Sequence, residues 1–140
     1  ELSSEVFVVD ICRKKAPRIF QRISTLNTPD AESTCAAIKC SEDGRFVYAS
    51  NRGDDSIAVY EMDKKYRITE PDPDRENEGK NHLEIFLVLE DMVLAANQDS
   101  NNITRFYRDA DTGKTFSRRR MHRVSCAGMF DCTSGSNEWN

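Results

Sequence analysis

This chain is poor in the residues that announce metal, membrane or nucleic-acid chemistry. Its only histidines, His82 and His122, sit in unrelated contexts, and a zinc site needs four converging ligands, so no metal is expected. Five cysteines, Cys12, Cys35, Cys40, Cys126 and Cys132, form an odd set without a CxxC pair. They read as reduced thiols of a cytoplasmic protein rather than as a disulfide framework. Cys35 and Cys40, an odd number of residues apart on an extended strand, should point to opposite faces. No apolar run approaches the ~20 residues of a membrane helix, so no membrane partner is expected. The start, Glu1-Leu2-Ser3-Ser4, lacks the basic and apolar regions of a signal peptide and an initiating methionine, which suggests an incomplete chain. The net charge of −4 lacks the basic footprint that phosphate-backbone binding requires, so no nucleic acid is expected. One basic run, Ser117-Arg118-Arg119-Arg120-Met121-His122-Arg123, reads as a solvated outer strand.

What the chain does contain is a repeat. The stretch from Asp43 to Tyr60 returns as Met92 to Phe106: Asn51 falls on Asn97, Ile57 on Ile103 and Tyr60 on Phe106, at a constant offset of 46 (97 − 51 = 46). Val47 on Val93 and Ala49 on Ala95 keep the register. Short strands recurring with a period of roughly 40–50 residues are the mark of β-propeller blades. Propellers close with about 4–8 four-stranded blades, and this chain holds about three. The expected fold is all-β: two complete four-stranded antiparallel blades with partial blades at both ends. The propeller portion covers 1–131, with a tail at 132–140. An open arc leaves a sheet edge at each end, so the chain is expected to be a fragment of a longer protein or, failing that, to have its ends covered by other copies of itself or by a partner. A complete small sandwich of two sheets fits the length but leaves the half-repeats unexplained.

Strand by strand, Glu5 to Asp10 matches the third strand of the later repeats, and Arg18 to Ser24 reads as an outer strand. Leu26 to Thr34 is a polar loop. The first full blade runs from about Ala36 to Cys40, Phe46 to Ser50 and Ser56 to Met62, with a fourth strand beginning at Tyr66. Tight turns fall at Glu42-Asp43-Gly44-Arg45 and at Asn51 to Asp55. A polar loop with two prolines spans 70–79. In the second blade, Leu83 to Leu89 is nearly all apolar, as suits a strand buried on both faces. Met92 to Ala96, Ile103 to Arg108 and Thr115 to Arg123 follow, and Val124 to Phe130 opens a third blade. Leu, Glu, Met and Ala across 83–96 also permit a helix; the repeat argues for strands.

The motifs behind this reading are Ala36-Ala37-Ile38, then Ser41-Glu42-Asp43-Gly44-Arg45-Phe46-Val47-Tyr48-Ala49-Ser50-Asn51-Arg52-Gly53, then Asp55-Ser56-Ile57-Ala58-Val59-Tyr60. Together with Ala96-Asn97-Gln98-Asp99-Ser100 and the Asp111-Thr112-Gly113-Lys114 turn, this chain resembles the lactonase family of seven-bladed β-propellers from about residue 5 to 130. That family holds propeller-type 6-phosphogluconolactonases and carboxymuconate-lactonising cycloisomerases. The resemblance implies a C-terminal portion of a family member, a small anionic lactone as substrate and a place in carbohydrate metabolism. It implies no cofactor, because opening a lactone needs only water and acid–base help.

Alternating strand direction should gather 35–37, 51–55, 81–84 and 97–101 at one mouth of the propeller channel. There Arg52 is the candidate anion anchor, with Asn51, Asn97 and Gln98 as hydrogen-bonding neighbours; Asn51 and Asn97 could equally serve only to hold tight turns. No catalytic residue is assigned. The acid of the family's A-E-I motif is Ala37 here, and the arginine of the family's P-R-N/H-F stretch is Glu84. Enzymatic activity therefore stays open, against a non-catalytic propeller scaffold and a truncated gene product.

Overall fold

A computed structural model describes residues 3–11, 16–26, 32–65, 67–69, 83–97 and 102–123. They form nine strands in chain order: β1 (Glu5–Asp10), β2 (Arg18–Ser24), β3 (Thr34–Cys40), β4 (Phe46–Arg52), β5 (Ser56–Glu61), β6 (Leu83–Val88), β7 (Met92–Asn97), β8 (Asn102–Arg108) and β9 (Thr115–Arg123). Consecutive strands pair antiparallel into three sheets: β1-β2 (sheet I), β3-β4-β5 (sheet II) and β6-β7-β8-β9 (sheet III). The stretch 83–96 is thus strand, not helix. Val124 to Phe130, the tail at 132–140, the loop at 70–79 and Cys12, Cys126 and Cys132 lie outside the described residues.

The sheets stack in the order I, II, III because alternate residues of sheet II feed two cores. Val47, Ala49, Ala58 and Tyr60 meet Val6 and Ile23 of sheet I, together with Ile68. Phe46, Tyr48, Ile57 and Val59 meet Phe86, Val93, Ala95 and Phe106 of sheet III. β4 and β5 of sheet II are therefore buried on both faces, β4 from Phe46 through Asn51 and β5 from Ser56 through Tyr60, whereas the end of β3 from Ile38 to Cys40 is exposed. The offset of 46 survives in three dimensions: Val47 pairs with Tyr60 as Val93 pairs with Phe106, and Ala49 pairs with Ala58 as Ala95 pairs with Thr104.

Several expectations are corrected. Leu83 to Leu89 is not buried on both faces. The strand stops at Val88, and while Phe86 is buried, Ile85 and Leu87 are 58% and 52% exposed. Among the described residues sheet III has a neighbour on one side only, so its second apolar face meets solvent. Among the described residues the first full blade has three strands. Where the fourth is expected to begin there is a bridge between Met62 and Ile68, flanked by Asp63 N–H to Arg67 O (2.8 Å) and Thr69 N–H to Glu61 O (3.0 Å). The Ile68 amide and carbonyl consequently turn away from β5. The Gln21 side chain takes both, donating to Ile68 O (2.6 Å) and accepting from Ile68 N–H (3.0 Å). A side chain from sheet I thus occupies the edge that a further strand would extend. β3 starts at Thr34 and β4 continues through Arg52, leaving a turn of 53–55, because pairing of Thr34 with Arg52 and Asn51 with Ser56 lengthens the ladders.

Cys35 and Cys40 do not oppose one another either. Between Cys35 and Ile38 β3 bulges, spending three steps against two on β4 (Asn51 to Ala49), and one extra residue reverses the alternation. Cys35 contacts Thr25 of sheet I, and Cys40 lines a groove on that same side. Both thiols are free.

Candidate functional site

The registers put Thr34, Arg52, Ser56, Leu83, Asn97 and Asn102 at one end of the stack, which we call the upper rim. Cys40, Phe46, Glu61, Val88, Met92 and Arg108 lie at the other, the lower rim.

At the upper rim Asn51 is wholly buried. Its Nδ2 donates to Thr25 O of sheet I (2.8 Å) and to Ser56 Oγ (3.0 Å). Ser56 Oγ in turn donates to Asp54 Oδ2 (2.5 Å). The Cys35 thiol lies 3.2 Å from Thr25 Oγ1 and 3.8 Å from Asn51 Oδ1. Thr25 Oγ1 donates to Ser4 O (2.9 Å) and Ser4 Oγ to Ser33 O (2.7 Å). This polar layer staples sheet I to sheet II by satisfying backbone groups that burial would otherwise strand. Asn97 repeats half of the arrangement: its Nδ2 donates to Asn102 Oδ1 (2.7 Å), the residue in register with Ser56, and to Thr104 Oγ1 (2.8 Å).

Arg52 is half-buried at the end of β4. Ser33 Oγ donates to its carbonyl, and Gly53 follows at φ +89°. In the strand alternation Arg52 continues the face of Phe46, Tyr48 and Ser50, which looks toward sheet III; Asn97 continues that of Val93 and Ala95, which looks toward sheet II. Ala37, where the family motif carries an acid, lies on the same side, its N–H donating to Ser50 Oγ (3.0 Å). Arg52, Asn97 and Ala37 therefore converge on the upper end of the layer between sheets II and III, whereas Asn51 points into the layer between sheets I and II. Glu84 lies in β6. Gln98 lies outside the described residues, as do 81–82 and 99–101.

The lower rim holds a cluster that the sequence reading missed. Arg108 is 7% exposed. Its Nε donates to Tyr48 Oη (2.6 Å) and its Nη1 to Glu90 O (2.6 Å); Nη2 has no hydrogen-bond partner among the described residues. The guanidinium sits 5.4 Å from the Phe46 ring centre and 5.9 Å from that of Tyr48, within cation–π range. Tyr48 Oη donates to Gly113 O (2.9 Å), and Arg45 Nη2 to Asp111 O (2.9 Å). Burial pushes the Tyr48 phenol above its ordinary pKa, against the opposing pull of Arg108. The turn docks because Gly113, at φ +72°, has no Cβ: one would fall 2.3 Å from Phe46 Cδ1. Asp109 holds the turn's shape by accepting from Thr112 N–H (2.8 Å) and Asp111 N–H (2.9 Å), so its carboxyl is held below the usual range, chiefly by the Thr112 amide. The turn motif was visible in the sequence; its partner Tyr48 was not, because only the stacking of sheets joins them.

No helix of the described residues is long and apolar enough to cross a membrane. A protein of Lactococcus lactis is 36% identical over 118 residues, covering 81% of this chain and 34% of its own length. The 6-phosphogluconolactonase of Bacillus subtilis is 32% identical over 121 residues, again covering 81% of this chain and 34% of that protein. Among solved structures, the periplasmic gluconolactonase of Pseudomonas aeruginosa superposes with a TM-score of 0.75 at 27% identity, over 89% of this chain and 35% of that one. The chain thus spans about a third of the length of these relatives. The family profile described as "Lactonase, 7-bladed beta-propeller" matches residues 1–129. With the stacked antiparallel sheets, the preserved 46-residue register and a profile match over nearly its whole length, the chain belongs to the family of seven-bladed β-propeller lactonases.

Proposed function

We propose that this chain forms part of the wall of a lactone-binding site in a larger propeller, with Arg52 as the anion anchor and Asn97 and Gln98 as hydrogen-bonding neighbours. The observation that carries the reading is the convergence of Arg52, Asn97 and the Ala37 position on one interlayer at the upper rim. A guanidinium there suits the phosphate or carboxylate of a sugar-acid lactone, since its planar fork matches those groups. Asn51, with its amide committed to Thr25 and Ser56, serves to hold the turn that presents Arg52. With Ala37 in the acid position, no side chain at that place can polarise water, so the isolated chain is expected to hydrolyse lactones no faster than water does.

Two measurements separate these parts. Calorimetric titration with 6-phosphogluconate, the anionic hydrolysis product, should show binding that weakens about 10–100-fold in Arg52→Ala, from the ~1.5–3 kcal/mol of a charge-assisted contact. Equal affinity of the two proteins disposes of the anchor. A coupled assay with 6-phosphogluconolactone reads turnover, and a rate above the spontaneous one overturns the inactive-chain reading.

The alternative role, a non-catalytic scaffold, is favoured by Ala37 together with the apolar outer faces of sheets I and III, where Phe7, Ile19, Ile85 and Leu87 are exposed. Self-association through those faces and the open sheet edges belongs to that reading, and light scattering over a concentration series tests it. The free thiols Cys35 and Cys40 support a reducing, cytoplasmic setting, although one structural relative is periplasmic; fractionation of cells expressing the protein decides the compartment.

A further inference from the structure

β8 and β9 together hold six arginines and one histidine, with no lysine and no acidic residue. The net charge of −4 hides this, because these strands take six of the chain's 20 Lys and Arg residues and none of its 24 Asp and Glu residues. The ladder sorts them by face. Ile103 is in register with His122 and Tyr107 with Phe116, and these four share a face with Arg105. Between Met121, opposite Thr104, and Ser117, opposite Phe106, β9 takes four steps against two on β8. Two extra residues leave the alternation intact, so Arg118 and Arg120 fall on the face of Arg105, and Arg119 on the other. That face looks away from sheet II, and its chemistry changes across the sheet. Its β6 half is apolar, with Ile85 and Leu87 in line with Ile103 and Arg105; its β8–β9 half is basic and aromatic. Sheet III approaches sheet II chiefly through β6, which lies against β3 and β4, so the stack fans open toward the outermost strands. The β8–β9 half of the face therefore lies in the wide part of a wedge, even where a further sheet stacks on the β6 half.

We propose that this face binds single-stranded nucleic acid, with Arg105, Arg118 and Arg120 serving successive phosphates and Tyr107 and Phe116 serving as platforms for the bases. Arg105 is held ready for that role. Its guanidinium lies 4.8 Å from the Tyr107 ring centre, its Nη2 donates to Tyr107 Oη (2.5 Å), and among the described residues no carboxylate pairs with it. The Phe116 ring is 45% exposed. Arginine in place of lysine suits the ligand, since its planar fork grips phosphate and its flat face stacks on rings. Rings set among the cations add what a bare polyanion does not use, because every base has a face to stack. Residues two apart on a strand stand ~6.7 Å apart, about twice the ~3.4 Å rise per nucleotide of a duplex strand. The pattern thus matches an extended single strand rather than a duplex. The proposal stands whether or not Arg52 binds a lactone.

The probe is a short fluorescein-labelled oligothymidylate, titrated with the 140-residue protein by anisotropy between ~50 and ~200 mM salt. Saturable binding is expected, with log K falling against log salt at a slope of about −2, from roughly 0.7 per phosphate and three arginines. The double variant Arg118→Gln with Arg120→Gln should bind about tenfold more weakly or worse, with the slope reduced to about −0.7. Phe116→Leu keeps an apolar strand residue and every charge; it should lose about fivefold or more in affinity at an unchanged slope. Lys64→Gln with Lys65→Gln removes as much charge from the lower rim and should bind as the parent does. No saturation, a slope near zero, parental binding by the arginine variant or by Phe116→Leu, or an equal loss in the lysine variant overturns the proposal. Inorganic polyphosphate and poly-glutamate serve as competitors and should displace the probe about tenfold less well than unlabelled oligothymidylate. Equal displacement by either overturns the assignment, in favour of a bare polyanion or of an acidic protein.

Discussion

Removing one oxygen atom, in Tyr48→Phe, should unlatch sheet III from sheet II. The ring is fully buried and keeps its packing in the substitution; only the hydroxyl is lost. That hydroxyl accepts from Arg108 Nε (2.6 Å) and donates to Gly113 O (2.9 Å). A hydrogen bond to a buried charged group contributes about 1.5–3 kcal/mol and a neutral one about 1 kcal/mol, so the loss should be about 3 kcal/mol. Arg108 makes the effect large. Among the described residues its Nη2 has no hydrogen-bond partner and it forms no ion pair, and Tyr48→Phe orphans a second donor. With a urea slope of ~2 kcal/mol/M, the midpoint should fall by about 1.5 M. The decisive experiment is a double-mutant cycle with Arg108→Met. Once the guanidinium is gone, Tyr48→Phe strands only Gly113 O, and the cycle should show about 2 kcal/mol of coupling. Coupling below ~0.5 kcal/mol, the level expected of independent sites, refutes the idea that these two residues form the latch.

Gly53→Ala should be destabilising by at least ~2 kcal/mol, because φ is +89° and the new Cβ would lie 2.5 Å from Glu32 O, a backbone atom that cannot swing aside; thermal unfolding measures it, and a neutral result shows that the loop at 32–33 yields. Acid should loosen the lower turn. The Asp109 carboxyl has its folded pKa below the ordinary 3.8, mainly through the Thr112 amide, so its contribution is full above 3.8 and is lost as pH falls through 3.8 toward the folded value. Urea midpoints at pH 5.5 and pH 3 should therefore drop less in Asp109→Asn than in the parent, and an identical drop removes Asp109 from the account.

The strands were legible in the sequence because their cause is local. Alternation of apolar and polar residues, turns such as Glu42 to Arg45, and the offset that puts Asn97 on Asn51 all act between neighbours in the chain. Glu5–Asp10, Arg18–Ser24 and Thr115–Arg123 came out residue for residue. The gathering of Arg52 and Asn97 at one rim followed from strand direction alone.

Tertiary structure decided which face each residue serves. The β6 strand carries apolar side chains on both faces, yet among its described side chains Phe86 and Val88 find a neighbouring sheet while Ile85 and Leu87 are exposed. A single extra residue in β3 brought Cys35 and Cys40 to one side, and no local pattern announced it. Asn51 and Arg52 are adjacent in the chain, but strand alternation sends them into different layers, one as a staple and the other as a candidate anchor. The latch of Tyr48 with Arg108 and the groove that Cys40 lines exist only because sheets stack. Burial and pairing between distant segments depend on what lies across an interface, and a one-dimensional pattern carries the periodicity of a surface without the identity of its partner.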